Sequence, residues 1–174
     1  MKIHITGSTG SGKTTYSKQI AKELNIPRYE LDDIHWIRDP KSDTRRPIDE
    51  KLALLKEIVI QNDWVIEGVQ FKWSDASFEA ADVIIVLDVS KIKNRYQIVK
   101  RFFKQKLGLE NSKYKPSLKA LKNMFGWEKD YRTYEKEQLF IKLEPYKEKV
   151  YFIKSQKDRE DVMKKLINEK KKSS

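Results

Sequence analysis

Eight consecutive residues near the start of the chain, Gly7-Ser8-Thr9-Gly10-Ser11-Gly12-Lys13-Thr14, satisfy the spacing G-x-x-x-x-G-K-[ST]. Each residue type has a physical task. Glycines let the backbone turn where other residues resist, so that successive N–H groups point inward at an anion. A helix opening at the end of the turn adds the positive end of its dipole. The Lys13 ammonium then reaches the β- and γ-phosphates of a nucleotide, and the Thr14 hydroxyl ligates Mg²⁺. With Thr15 included, the stretch is expected to hold ATP or GTP with Mg²⁺ at residues 7–15.

Other residues could act on what this loop holds. Asp32 and Asp33 are expected at the carboxyl end of a second strand, the edge where open α/β sheets place ligands. A carboxylate there holds Mg²⁺ through water, or takes the proton of an acceptor hydroxyl, or merely caps the next turn. Asp88, closing the apolar run DVIIVLD, and Glu67, closing DWVIE, are equal candidates for a Walker B-like role. His35 and Trp36 either line an acceptor pocket or pack as an ordinary pair. Guanidiniums that close over a transferring phosphoryl group neutralise its spreading charge. Arg101 is the first candidate for that role, followed by Arg95 and Arg132.

The elements that must position these groups alternate short apolar runs with longer helical ones, the pattern of βαβ units and a parallel sheet. Strands are expected over 2–6, 28–32, 63–67, 82–88 and 149–153. Helices are expected over 13–24, 48–61, 90–107, 128–143 and 158–170. Ser90 and Asp158 are the expected N-caps. Residues 38–47 form a polar connection. Residues 108–127, with Gly108, Pro116 and Gly126, have the composition of a mobile insertion.

At 174 residues the chain suits one domain with a basic lid insertion at about 108–130. It has no cysteine, no apolar run of membrane-spanning length, and an N-terminus that runs directly into the loop motif. A cytoplasmic location is expected, with no membrane partner. The net charge of +11 is uneven, because residues 91–136 carry 14 Lys and Arg against four acids. A surplus confined to one stretch points to a polyanion. Within it Lys113, Tyr114, Lys115, Lys119, Lys122, Phe125 and Trp127 interleave charge with aromatics, as a lid or as a surface for single-stranded nucleic acid.

The GSTGSGKTT loop, LDDIHW at 31–36, WVIEG at 64–68, ADVIIVLDVS at 81–90 and VYFIKSQKD at 150–158 occur in one order. In this the chain resembles the topology-modulation-protein (FlaR-like) family, within the adenylate-kinase and shikimate-kinase-like P-loop proteins. The resemblance implies a five-stranded parallel sheet in the order 2-3-1-4-5, a helical lid after the fourth strand, and adenine near the loop after the fifth. It also implies a link to DNA topology or gene regulation, and a working role for an acidic residue near Asp32. Glu67-Gly68-Val69-Gln70 departs from that family's acidic-Gly-Asn-Tyr exit, so the acceptor pocket is expected to differ.

Together these features predict a kinase for a small molecule of nucleoside, nucleotide or metabolite type. It would pass the γ-phosphoryl of Mg·ATP to an acceptor near Asp32 and His35, with Lys13, Arg101 and Arg132 neutralising charge. The alternatives are a nucleic-acid-associated regulatory NTPase working through residues 91–136, and a nucleotide-binding protein with negligible catalysis.

Overall fold

The chain's apolar runs sort by alternation into two cores, one on each face of a sheet. In the computed structural model, which describes residues 1–39, 42–110 and 116–172, the strands are β1 (Lys2–Gly7), β2 (Arg28–Glu30), β3 (Trp36–Ile37), β4 (Thr44–Arg45), β5 (Trp64–Glu67), β6 (Val83–Leu87) and β7 (Val150–Ile153). Five of them form a parallel sheet in the order β2-β5-β1-β6-β7, which is 2-3-1-4-5 when only its own members are numbered. This is the expected three-layer α/β fold. Trp64, Ile66, Ile84 and Val86 face one core, and Val65, Val83, Ile85 and Leu87 face the other. Burial on both faces is why β6 reads as an unbroken apolar run.

The helices are α1 (Lys13–Leu24), α2 (Leu31–His35), α3 (Ile48–Val59), α4 (Asp75–Ala80), α5 (Lys91–Lys106), α6 (Leu118–Asp130), α7 (Lys136–Leu143) and α8 (Gln156–Lys172). Tyr16 and Ile20 of α1 and Met163 and Leu166 of α8 cover one face. Leu55 of α3, Phe78 of α4 and Leu139 of α7 cover the other. A wide π turn over Tyr131–Glu135 joins α6 to α7 without a break in helical dihedrals.

Several expectations are corrected. The second strand stops at Glu30, because its pairing with β5 ends at Glu30↔Glu67. Asp32 and Asp33 therefore lie on α2, one residue after the chain has left the sheet. Part of the supposed mobile insertion is helix: α6 starts at Leu118, capped by the Ser117 hydroxyl, which accepts from Ala120 N at 3.1 Å. Lys113, Tyr114 and Lys115 lie outside the described residues. The last helix begins at Gln156, two residues earlier than expected. Ser155 Oγ accepts from Asp158 N at 3.1 Å while Asp158 Oδ2 accepts from Lys154 N and Ser155 N, both at 2.8 Å, a reciprocal capping box. The expected polar connection over 38–47 contains a strand, β4, which pairs antiparallel with β3 just before it.

His4, on β1, is 1% exposed against Phe78, and its Nδ1 pairs with Ser77 Oγ at 2.9 Å. Ser77 Oγ spends its own proton on Ser74 O at 2.7 Å, so His4 Nδ1 is the donor. Burial drives its pKa from 6.5 down to about 3. Between those values the unfolded chain binds a proton that the folded chain refuses, so acid favours unfolding. Between pH 7 and pH 4 we expect His4 to remove about 3 kcal/mol of stability. Denaturant titrations of the wild type and His4→Asn at both pH values measure this. A difference between the two proteins that does not change with pH would contradict it.

Candidate functional site

Three non-local contacts hold the loop between β1 and α1 in shape. Gly10 has φ +79°, and a Cβ there would stand 2.5 Å from Ile98 Cγ1, so α5 presses directly on the loop backbone. From the same helix Asn94, fully buried, donates through Nδ2 to Ser8 Oγ at 2.7 Å. From α8 Arg159 donates through Nη2 to Ser11 O at 3.0 Å, its guanidinium 5.2 Å over the Tyr16 ring. Ser11 Oγ is buried without a hydrogen-bond partner among the described residues. Thr9 is half-buried and Thr15 exposed.

Lys13 is 8% exposed and donates to Gly7 O at 3.0 Å and to Ser8 O at 2.8 Å. Burial lowers its pKa, Glu67 and Asp32 oppose that, and Arg101 adds to it. Thr14 Oγ1 donates to Glu67 Oε1 at 2.7 Å. Glu67 is 4% exposed, and burial raises its carboxyl; Lys13, the Thr14 hydrogen bond and Arg28 pull it down, while Glu30 pushes it up. Arg28 spans the two acids, 2.6 Å from Glu30 Oε1 and 3.4 Å from Glu67 Oε1. Ammonium, hydroxyl and carboxylate thus meet at the carboxyl edge of the central strands. Asp88, the other Walker B-like candidate, is paired with Lys136 at 2.7 Å.

Asp32 is exposed on α2, accepts from Gln70 Nε2, and is felt electrostatically by Lys13. The turn after β5 therefore supplies its partner. Arg95 lies 3.4 Å from Glu128 Oε2 and 5.7 Å over the Phe125 ring. Arg132 donates to Glu128 Oε1 and to Val89 O at 3.0 Å. Two of the three candidate arginines, Arg95 and Arg132, thus converge on one fully buried carboxylate of α6. Arg101 lies 3.5 Å from Glu110 Oε1.

Asn94, Arg159, Arg28 and Lys51 were not singled out from sequence. Two of them carried a signal. Asn94 shares the buried stripe of α5 with Ile98, Phe102 and Gln105, and Lys51 shares that of α3 with Leu55, Ile58 and Val59. A polar residue on an apolar helical stripe is buried for a reason beyond packing.

A family model described as isopentenyl transferase, a P-loop NTPase family, matches residues 1–97, the stretch holding the loop, Asp32 and Glu67. No curated protein matches the chain in sequence. Among solved structures, an uncharacterized protein from Eubacterium ventriosum ATCC 27560 is 14% identical with a TM-score of 0.53, over 98% of each chain. Shikimate kinase from Aquifex aeolicus vf5 is 17% identical with a TM-score of 0.45, over 99% of this chain and 98% of that one. The first of these likenesses is one of fold. Among the described residues no helix is long and apolar enough to cross a membrane.

Proposed function

We propose, from the premise that the chain belongs to the isopentenyl transferase family, that it is a P-loop transferase that binds Mg·ATP and passes the γ-phosphoryl group to a small acceptor beside Asp32. The observation that carries this reading is the 2.7 Å contact of Thr14 with Glu67 beside the Lys13 ammonium. A hydroxyl and a carboxylate are hard oxygen donors of the kind Mg²⁺ takes, and the loop beside them is too close to α5 at Gly10 to carry a side chain. The donor set fits the metal: Thr14 would ligate it, and Glu67 and Asp32 would hold it directly or through water. Bound Mg²⁺ would neutralise charge on the β- and γ-oxygens.

This chain's own groups do the rest. The loop amides and Lys13 hold the phosphates, and Lys13 leaves the Gly7 and Ser8 carbonyls to do so. Asp32 accepts the proton of the acceptor hydroxyl. Arg101, Arg95 and Arg132 neutralise the transferring group, the last two after exchanging Glu128 for it.

Calorimetry with Mg·ATP, followed by an ADP-release screen over nucleosides, nucleotides and hydroxylated metabolites, tests the proposal. Acceptor-dependent ADP formation is expected. Folded protein that takes up no Mg·ATP would overturn it. The family match favours a second reading, transfer of an isopentenyl group, with the same loop holding the donor's phosphates. Consumption of an isopentenyl diphosphate donor without ADP release would select it. The basic surplus over 91–136 and the topology-modulation resemblance support a nucleic-acid-associated role, for which steeply salt-dependent DNA binding is the diagnostic.

A further inference from the structure

On the far side of Asp32 from the loop motif in sequence, α2, α3 and the turn after β5 bring together a cation that has no anion. Lys51 is 7% exposed, on the buried stripe of α3. Among the described residues its ammonium has no hydrogen-bond or ion-pair partner, and it stands 5.8 Å from the centre of the Trp73 ring. Covering most of a lysine without an anion is costly, and an aromatic face compensates only part of that cost. The ring's own polar atom, Trp73 Nε1, is buried without a partner, and so is Nδ1 of the neighbouring His35. Beside this cation, two buried polar atoms therefore await partners that the described residues do not supply.

The neighbouring side chains are flat. His35 is stacked on Trp73 at 6.2 Å with 19° between planes, and meets Trp36 edge-on at 4.8 Å. Arg45, from the β3–β4 ribbon, lies 5.7 Å over the other ring, Trp36. Burial, Lys51 and Arg45 all lower the pKa of His35, against Asp32. Asp32 is felt by both His35 and Lys13, which puts the cluster within electrostatic reach of the phosphate side.

Building on the kinase reading, we infer that this cluster is the acceptor subsite and that the acceptor is a planar ring carrying an anionic group. The ring lies against Trp36 and Trp73, and the anion pairs with Lys51. The same chemistry is found in a nucleoside monophosphate and in a hydroxylated aromatic carboxylate, so matched pairs of probes separate them: adenosine 5′-monophosphate against adenosine, and 4-hydroxybenzoate against 4-hydroxybenzyl alcohol.

Tryptophan fluorescence titrations, without nucleotide, of the wild type, Lys51→Met and Trp73→Phe form the test, with Mg·ATP calorimetry alongside. In the wild type one anionic probe should bind at least 10-fold more tightly than its neutral partner. Lys51→Met, which keeps the apolar stem, should erase that preference while Mg·ATP affinity stays within about twofold. Trp73→Phe should weaken both members of a pair and keep the preference, which covers the case in which Lys51→Met does not fold. Equal binding of anionic and neutral probes by the wild type, or an anion preference that survives Lys51→Met, overturns the inference and leaves the kinase reading intact. Anion binding at the cluster with no uptake of Mg·ATP sinks the kinase reading instead.

Discussion

Lys13→Ala is expected to lower the rate of acceptor-dependent ADP formation by about 10³-fold, the scale for removing a preorganised positive group from a phosphoryl-transfer site. The ammonium is 8% exposed and already sheds water to bind two loop carbonyls, so its transfer to phosphate oxygens needs little further desolvation. Without it, the Gly7 and Ser8 carbonyls remain beside the anion with no cation between them. Lys13 also holds the Glu67 carboxyl down against burial, so its loss pushes that group further toward the protonated form. Both effects act on the same site. Calorimetry of Mg·ATP and single-turnover ADP release measure them, and wild-type turnover by Lys13→Ala would remove the loop from the mechanism.

Glu67→Gln should separate function from stability. We expect turnover to fall by about 10²-fold and the Mg²⁺ concentration for half-maximal rate to rise, because the amide can still accept from Thr14 but brings no charge to a cation. The folded protein, by contrast, should become no less stable at pH 7. Burial raises the Glu67 pKa above 4.5, so the folded state holds a proton there more readily than the unfolded chain does. That contribution is fully present below pH 4.5 and is lost as pH rises through the folded value, which makes the ionised carboxylate a burden at neutral pH. Glutamine lifts the burden. A magnesium titration of rate beside urea unfolding at pH 7 checks both halves; an unchanged magnesium requirement would take Glu67 out of the metal's surroundings.

What could be foreseen in the sequence was what is local in the chain. β1 and α1 follow from a β-branched run and a helical stripe within the first 24 residues, and the motif between them is contiguous. The segment Arg28–Asp32 reads as one strand, but Leu31 is buried as the first residue of a helix. α4, at six residues, is too short to display a helical period, and the two-residue β3 and β4 show none. Gly126 and Pro116 suggested a broken chain; yet Pro116 precedes the Ser117 cap, and Gly126 sits in α6 with open space around its α-carbon. A glycine there costs only about 1 kcal/mol. The site's supports were the least legible. Thr14 meets Glu67 across 53 residues, Ser8 meets Asn94 across 86, and Ser11 meets Arg159 across 148. Only the fold brings such pairs together.

The π turn between α6 and α7 has a consequence for helical phase. Each α-helical residue advances about 100° around the axis, so a straight helix from Met124 would carry Leu143, 19 residues later, about 100° out of line. A π turn accommodates one extra residue and so takes up about that same angle. Met124, Glu128, Tyr131, Leu139 and Leu143 can then share one buried azimuth along a single rod, although their numbering would not allow it in an unbroken α-helix. Arg132 lies inside that turn, so the residue that brings a guanidinium to Glu128 belongs to the same five that reset the rod's rotation.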